Sequence, residues 1–275
     1  MLTIFARVPC IRTEHPFFYN PEEYLMNTID WNTYARAYDL LRSIAPYRTM
    51  HDQVADAVLH HYRNVPGRIL DAGCGTGNLL TALVARNIPS AYMVGIDASR
   101  DMRVIAEQKH GALGADIRTA DLNAPLPFAS GTFSVITCIN ALYAVANPAA
   151  TIREFARVLH PEGILIVVTP HHDANLGLIL KAHCKSSKPD RYWMQFTQGD
   201  SFARALIQEA FEHNNFDPAL LDILFTANTT IHASDEKHFL RLQELCDICK
   251  SAGLTPRLVK TTYAGQALLV HASPT

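Results

Sequence analysis

Apolar positions recur every three or four residues up to about residue 65, and beyond that point they gather into short runs separated by helix-patterned stretches. The early part reads as helical. Asn20-Pro21-Glu22-Glu23 is a helix start, with an Asn cap, proline at the first helical position and acids in the first turn. A second helix is expected from about Trp31 to Ser43, stopping near Pro46. A third follows from about Thr49 to Tyr62, where Val54, Val58 and His61 share a face.

After the Pro66-Gly67 turn the runs read as strands: Arg68 to Ala72, Tyr92 to Asp97, a weaker Ile117 to Ala120, Phe133 to Ile139 and Gly163 to Thr169. Pro148 to His160 is a helix between the last two, closed by His160-Pro161-Glu162-Gly163. Five β/α units in succession predict an α/β, doubly wound parallel sheet. The next sixty residues break the alternation. His171 to Arg191 has no firm pattern, Ser201 to Asn214 reads as helix and Ile223 to Ile231 as extended chain. A last unit then predicts a helix from about Asp235 to Ala252, a Gly253 cap, a strand near Arg257 to Thr261, a turn at Gly265 and a strand near Leu268 to His271. The expected architecture is a mostly parallel seven-stranded sheet with an antiparallel C-terminal edge hairpin. Its expected divisions are an N-terminal helical segment (1–50), a core (51–170), an inserted segment (171–234) and closing elements (235–275).

Composition narrows the picture. The chain has 275 residues, 48% of them hydrophobic, which is enough for a sizeable core. With 24 Lys and Arg against 26 Asp and Glu, the formal net charge of −2 raises no field for a polyanion, so a nucleic-acid partner is not expected. Met1 to Val8 does not read as a signal peptide, and the apolar runs fall far short of a membrane span. Of the six cysteines (10, 74, 138, 184, 246 and 249), two lie in expected core strand or turn segments, which suits reduced thiols and a cytoplasmic protein. Cys246-Asp247-Ile248-Cys249 lies on a helix whose apolar face includes both cysteines. With no second pair in reach, it reads as packing rather than a metal or redox motif.

The chemistry concentrates at strand ends. Asp71-Ala72-Gly73-Cys74-Gly75-Thr76-Gly77 is a strand-turn-helix whose glycines let a ligand backbone approach and whose helix amides favour negative charge. Alone this is a weak dinucleotide signal. The third glycine comes one position early for the nicotinamide fingerprint, and Asp71 sits two before the first. Asp97 ends the second strand, where a carboxylate can accept from both hydroxyls of a ribose, and Asp121 follows the third, where one can accept from an adenine amine.

With these pieces the chain resembles the class I S-adenosylmethionine-dependent methyltransferases, from about Tyr34 to His271. The matching segments are Leu70 to Gly77, Gly95-Ile96-Asp97, Ala120-Asp121-Leu122, Leu126-Pro127-Phe128, Phe133-Ser134-Val135-Ile136, Arg157 to Gly163 and Ala252-Gly253-Leu254. The resemblance implies that S-adenosylmethionine is the cofactor. Its methionine part would lie on the turn, with Asp71, Gly73, Gly75 and Gly77, its ribose at Asp97 beside Ala98, and its adenine at Asp121 beside Leu122. It implies methyl transfer to a small organic acceptor. Two rivals stay open: a cyclase or aminocarboxypropyl-type enzyme releasing methylthioadenosine (azetidine-2-carboxylate formation is an example), and a non-catalytic cofactor-binding subunit.

Tyr34-Ala35-Arg36-Ala37-Tyr38-Asp39 looks like the family's cofactor-covering helix, with Tyr34 in the cofactor set; plain core packing of the two tyrosines is the other reading. Asn140-Ala141-Leu142-Tyr143 follows the fourth strand, making Asn140 either a cofactor contact or a strand cap, and Asn140 and Tyr143 candidates for positioning the reacting groups. It is neither the Asn-Pro-Pro-Tyr type of base-amine methylation nor an acidic pair for a hard cation, so no metal is expected. His171-His172-Asp173 follows the fifth strand and supplies either a general base, His171, or a solvated loop. Tyr192-Trp193 and Phe196 either wall an acceptor pocket or cover the core.

Overall fold

A computed structural model describes residues 29–194, 207, 208, 211, 217–234 and 237–275. The expected helix start at Asn20 to Glu23, together with Cys10, Phe196, most of Ser201 to Asn214, and Asp235, lies outside the described residues. Seven strands form one sheet: β1 (Arg68–Ala72), β2 (Met93–Asp97), β3 (Asp116–Thr119), β4 (Phe133–Ile139), β5 (Leu159–Pro170), β6 (Leu254–Thr262) and β7 (Ala267–Pro274). Their order is β3-β2-β1-β4-β5-β7-β6. β1 to β5 pair in parallel, and β7 runs antiparallel between β5 and β6.

Because successive side chains leave opposite faces of a strand, the apolar runs feed two cores. Ile69, Val135, Ile166 and Val168 face one side, where α2 (Ala45–Asn64) contributes Met50, Val54 and Val58 and α3 (Asn78–Val84) contributes Leu79, Leu80 and Leu83. Leu70, Ile136, Leu165 and Val167 face the other, under Ile152 and Phe155 of α5 (Pro148–Val158) and Leu245 and Cys249 of α9 (Leu242–Ser251). Cys249 is fully buried there, as the packing reading of the cysteine pair expects. α4 (Arg100–His110) follows β2, capped by the Ser99 hydroxyl. Among the described residues no helix is long and apolar enough to cross a membrane.

Around the sheet, α1 (Trp31–Tyr38) continues as a short 3-10 turn to Ser43. Pro46 does not stop that helix but opens α2, where its missing N–H costs nothing. α6 (Leu176–Cys184), α7 (Asp190–Trp193) and α8 (Pro218–Ala233) occupy the segment with no strand pattern. The extended reading of Ile223 to Ile231 is overturned. Asp217 caps the first turn with Pro218 at its start, and Asn228 and Thr229 donate back to Leu224 and Phe225 carbonyls. Buried Leu224, Phe225 and Ile231 outweigh the strand propensity of the threonine-rich stretch. A second difference lies at β5, which begins at Leu159. Leu159 pairs with Phe133 and Ile164 with Val135, so His160 to Gly163 bulge out of the ladder instead of capping a helix. Finally, residues 237–241 precede α9 as non-helical chain.

Candidate functional site

β1 ends at Ala72 and the chain turns under the β2 exit, with the N–H groups of Gly73 and Cys74 both donating to the Ile96 carbonyl at 2.8 and 2.9 Å. Gly73 has φ +74° and Gly75 φ +53°, backbone that side-chain-bearing residues rarely adopt. A Cβ on Gly73 would drive into the Cβ of Ala141, and one on Gly75 would meet the Tyr38 ring at 3.4 Å. Asp97 binds the turn to the next strand: its Oδ2 accepts from Gly75 N–H at 2.9 Å and its Oδ1 from Ser99 N–H at 2.8 Å. Burial pushes the Asp97 carboxyl up from its ordinary range, while those two N–H bonds act to lower it.

A cavity of about 180 Å³ opens above this turn. Gly73, Gly75, Asp97, Ala98, Asp121, Leu122 and Asn140 all line it. It holds two carboxylates, and no Lys, Arg or His among the described residues faces it. A phosphate-rich dinucleotide would meet that pair uncompensated, whereas a cationic sulfonium suits carboxylates and aromatic faces. Two expected residues stand back. Gly77 starts α3 and packs against His110. Asp71 lies behind the turn, 3% exposed, accepting from the Thr137 hydroxyl at 2.9 Å. Burial pushes its carboxyl up to about 7. Cys74 is buried and its thiol is likewise pushed far up by desolvation, so it is no nucleophile.

α1 lies across the cavity as a strap fastened at both ends. At its start, Asn32 Oδ1 accepts from the Ser99 hydroxyl at 2.8 Å and from Asp101 N–H at 3.2 Å. Just past its end, Asp39 accepts from the Thr76 hydroxyl and pairs with Lys109, both at 2.6 Å. Trp31 and Tyr38 face the cavity between these anchors. Of the two tyrosines only Tyr38 lines this cavity. Tyr38 sits over Gly75, while Tyr34, 2% exposed, turns its ring edge-on to Tyr38 at 5.2 Å and faces a second space.

That second cavity, of about 60 Å³, shares Tyr38 and Asn140 with the first. Asn140 follows β4 with φ +51°, a left-handed conformation that asparagine tolerates better than most residues. Its N–H is spent on the Val168 carbonyl, and its Oδ1 is buried without a protein partner. A buried acceptor of that kind needs a donor from outside the protein, a water or a ligand, and this one faces both cavities. Tyr143 lines the second cavity and stacks on Phe239 at 5.6 Å and 14°.

His171 joins neither cavity. Its Nε2 reaches the Gly265 carbonyl at 2.9 Å, tying the β5 exit to the β6–β7 turn, and its Nδ1 accepts from Asp173 N–H at 3.0 Å within its own loop. Tyr192 and Trp193 are also outside the lining; Trp193 is fully buried, its carbonyl against Gly177. Several residues that strand-end reasoning passes over are there instead: Trp31, Ser99 and Asn123 in the first cavity, and Asn228, Tyr263 and Gln266 in the second. Tyr38 had a signal in its helical spacing from Tyr34; Asn228 reaches the site through α8, and Tyr263 and Gln266 through the β6–β7 turn. Among the described residues no three His, Cys, Asp or Glu side chains gather as a metal centre needs.

Residues 70–167 match the family described as a methyltransferase domain. The chain is 32% identical over 158 residues to the demethylmenaquinone methyltransferase of Thermus thermophilus, spanning 56% of this chain and 71% of that protein. It is 28% identical over 209 residues to the ubiquinone biosynthesis O-methyltransferase of Neisseria meningitidis serogroup A, spanning 70% and 81%. Among solved structures, the magnesium protoporphyrin IX methyltransferase of Synechocystis with bound S-adenosylhomocysteine matches with a TM-score of 0.53 at 17% identity, over 92% of this chain and 97% of that one. At that identity the likeness is one of fold.

Proposed function

Because the chain belongs to the class I S-adenosylmethionine-dependent methyltransferases, we propose that its methyl acceptor is a small organic molecule held in the second cavity. The cofactor is S-adenosylmethionine, which supplies a methyl group already activated on a positively charged sulfur. In this reading Gly73 and Gly75 let its amino-acid arm lie against the turn, Asp97 accepts from the ribose hydroxyls beside Ala98, and Asp121 accepts from the adenine amine beside Leu122. Asn140 offers its unpartnered Oδ1 to the cofactor's amine. Asp71 acts from behind, holding the turn through β1 and β4, and Gly77 through α3.

The observation that carries the reading is the junction: a carboxylate-lined cavity and an uncharged one meet at Tyr38 and Asn140. Displacement at an activated methyl asks the protein for alignment and exclusion of water more than for covalent help. Tyr38 and α1 cover the junction, and Tyr143 fixes the far wall. The relatives named for demethylmenaquinone and ubiquinone biosynthesis act on small molecules, which supports the same acceptor class. The chain's net charge of −2 and the lack of a cation in either described lining favour it over a nucleic acid.

The test is to incubate the protein with S-adenosylmethionine, alone and with a small-metabolite extract, and identify products by mass. S-adenosylhomocysteine formed only with extract is the expected result. Methylthioadenosine formed from the cofactor alone, or methyl label transferred only to RNA, would overturn the proposal.

A further inference from the structure

The second cavity has a chemical character of its own. Four tyrosines, 34, 38, 143 and 263, wall it together with Leu41, Leu176, Ile179 and Ile231, and its polar groups are carboxamides: Asn140, Asn175, Asn228 and Gln266. No Asp, Glu, Lys, Arg or His stands among the described lining residues. An ion entering such a space sheds its water and finds no counter-charge in the described lining, a loss of several kcal/mol by general estimate, at about 2–7 kcal/mol even for an unbonded neutral polar group. Aromatic walls can also attract a cation. Here, however, the adjoining cavity takes a positively charged sulfonium, which opposes a cationic acceptor.

One hydrogen bond sets the polarity of the wall. The Asn228 amide donates to the Tyr34 hydroxyl oxygen at 2.9 Å and to the Leu224 carbonyl at 2.7 Å. An amide nitrogen only donates, so the phenol oxygen is the acceptor in that pair and Tyr34's own hydrogen is left for another partner. Burial pushes the Tyr34, Tyr143 and Tyr263 phenols well above their ordinary range, so each stays protonated and none removes a proton from an acceptor near neutrality.

Resting on the methyltransferase reading, we propose that the acceptor enters uncharged, as a ring-bearing molecule with an oxygen that receives the Tyr34 O–H, and that the Tyr34–Asn228 pair determines this preference. Tyr34 is thus a specificity residue of the acceptor cavity.

Three probes of matched shape decide it: 4-butylphenol, 4-butylbenzoate and 4-butylbenzylamine, titrated calorimetrically at neutral pH into protein saturated with S-adenosylhomocysteine. The phenol should bind at least about tenfold tighter than the anion or the cation. Tyr34→Phe keeps the ring and should weaken the phenol about five- to tenfold while leaving the S-adenosylhomocysteine constant within about twofold. Asn228→Ala should weaken the phenol in the same direction. Equal or tighter binding of the benzoate or the benzylamine, no binding of the phenol, or an unchanged phenol constant in Tyr34→Phe would each overturn the proposal. If the wild-type protein failed to bind S-adenosylhomocysteine, the cofactor assignment would fall, and the same probe series without it would still rank the three charges.

Discussion

Adding one methyl to Gly73 should disable the site through Ala141, and the effect separates into two parts. Alanine at φ +74° carries the left-handed backbone strain, about 1–2 kcal/mol. Its Cβ would lie far inside the about 3.5–4.0 Å optimum for carbon pairs from the Ala141 Cβ, with the Ala141 Cα at 3.9 Å behind it. The 140–144 segment must therefore move, at an overpacking cost of about 1–3 kcal/mol. The total of about 2–5 kcal/mol corresponds to a Tm lower by about 5–15 °C in a domain of this size. Because Asn140 and Ala141 line the first cavity, the shift should weaken S-adenosylhomocysteine at least about 100-fold by calorimetry, about 2.7 kcal/mol. Gly73→Ala with Ala141→Gly removes the clash and leaves the strain, so most of the affinity should return while only part of the Tm does. Wild-type affinity in Gly73→Ala, or no recovery in the double variant, would refute the account of the turn.

Asp71 makes the chain less stable as pH rises. Its folded pKa of about 7 exceeds the unfolded carboxylate value of about 3.9, so its contribution is full below about pH 4 and is lost as pH rises through about 7. Asp71→Asn, which keeps an oxygen for Thr137, should remove that slope and gain up to about 4 kcal/mol over wild type at pH 8 relative to pH 4, read from urea unfolding; parallel pH profiles for the two proteins would contradict it. His171→Ala should lower Tm by a few degrees at most and leave the constants for S-adenosylhomocysteine and 4-butylphenol unchanged, since its ring ties Gly265 to Asp173 outside both cavities; a tenfold loss of either, about 1.4 kcal/mol, would return it to the site.

The turn at Gly73 was legible because the physics there is local. A strand closing on Asp71-Ala72, small residues where the backbone must turn, and an acid at or just past the end of each of the next two strands are local signals, and Asp97 and Asp121 line the first cavity with Gly73 and Gly75. Tyr34, Tyr38 and Asn140 were legible as candidates but not as assignments. Two tyrosines one helical turn apart look alike in one dimension, and only the packing of α1 on the Gly75 turn and on α8 sets one ring over the Gly75 turn and turns the other to the second cavity. His171 shows the converse: a histidine after a strand has the right address, but the Gly265 carbonyl in the β6–β7 turn takes its Nε2 and Asp173 N–H in its own loop takes its Nδ1.

By itself, then, the sequence determined the alternation of strands and helices, the parallel run through β5, the antiparallel close and the position of the glycine turn. These follow from period, propensity and turn chemistry within a few residues of each other. Tertiary structure decided the rest: that Ile223 to Ile231 coils into α8 rather than extending, that α1 is fastened over the first cavity, and that the described wall of the second is uncharged. That wall is assembled from Tyr34, Tyr143, Asn228 and Tyr263, residues far apart in the chain, and their neighbourhood is set by burial of faces, which no local pattern records.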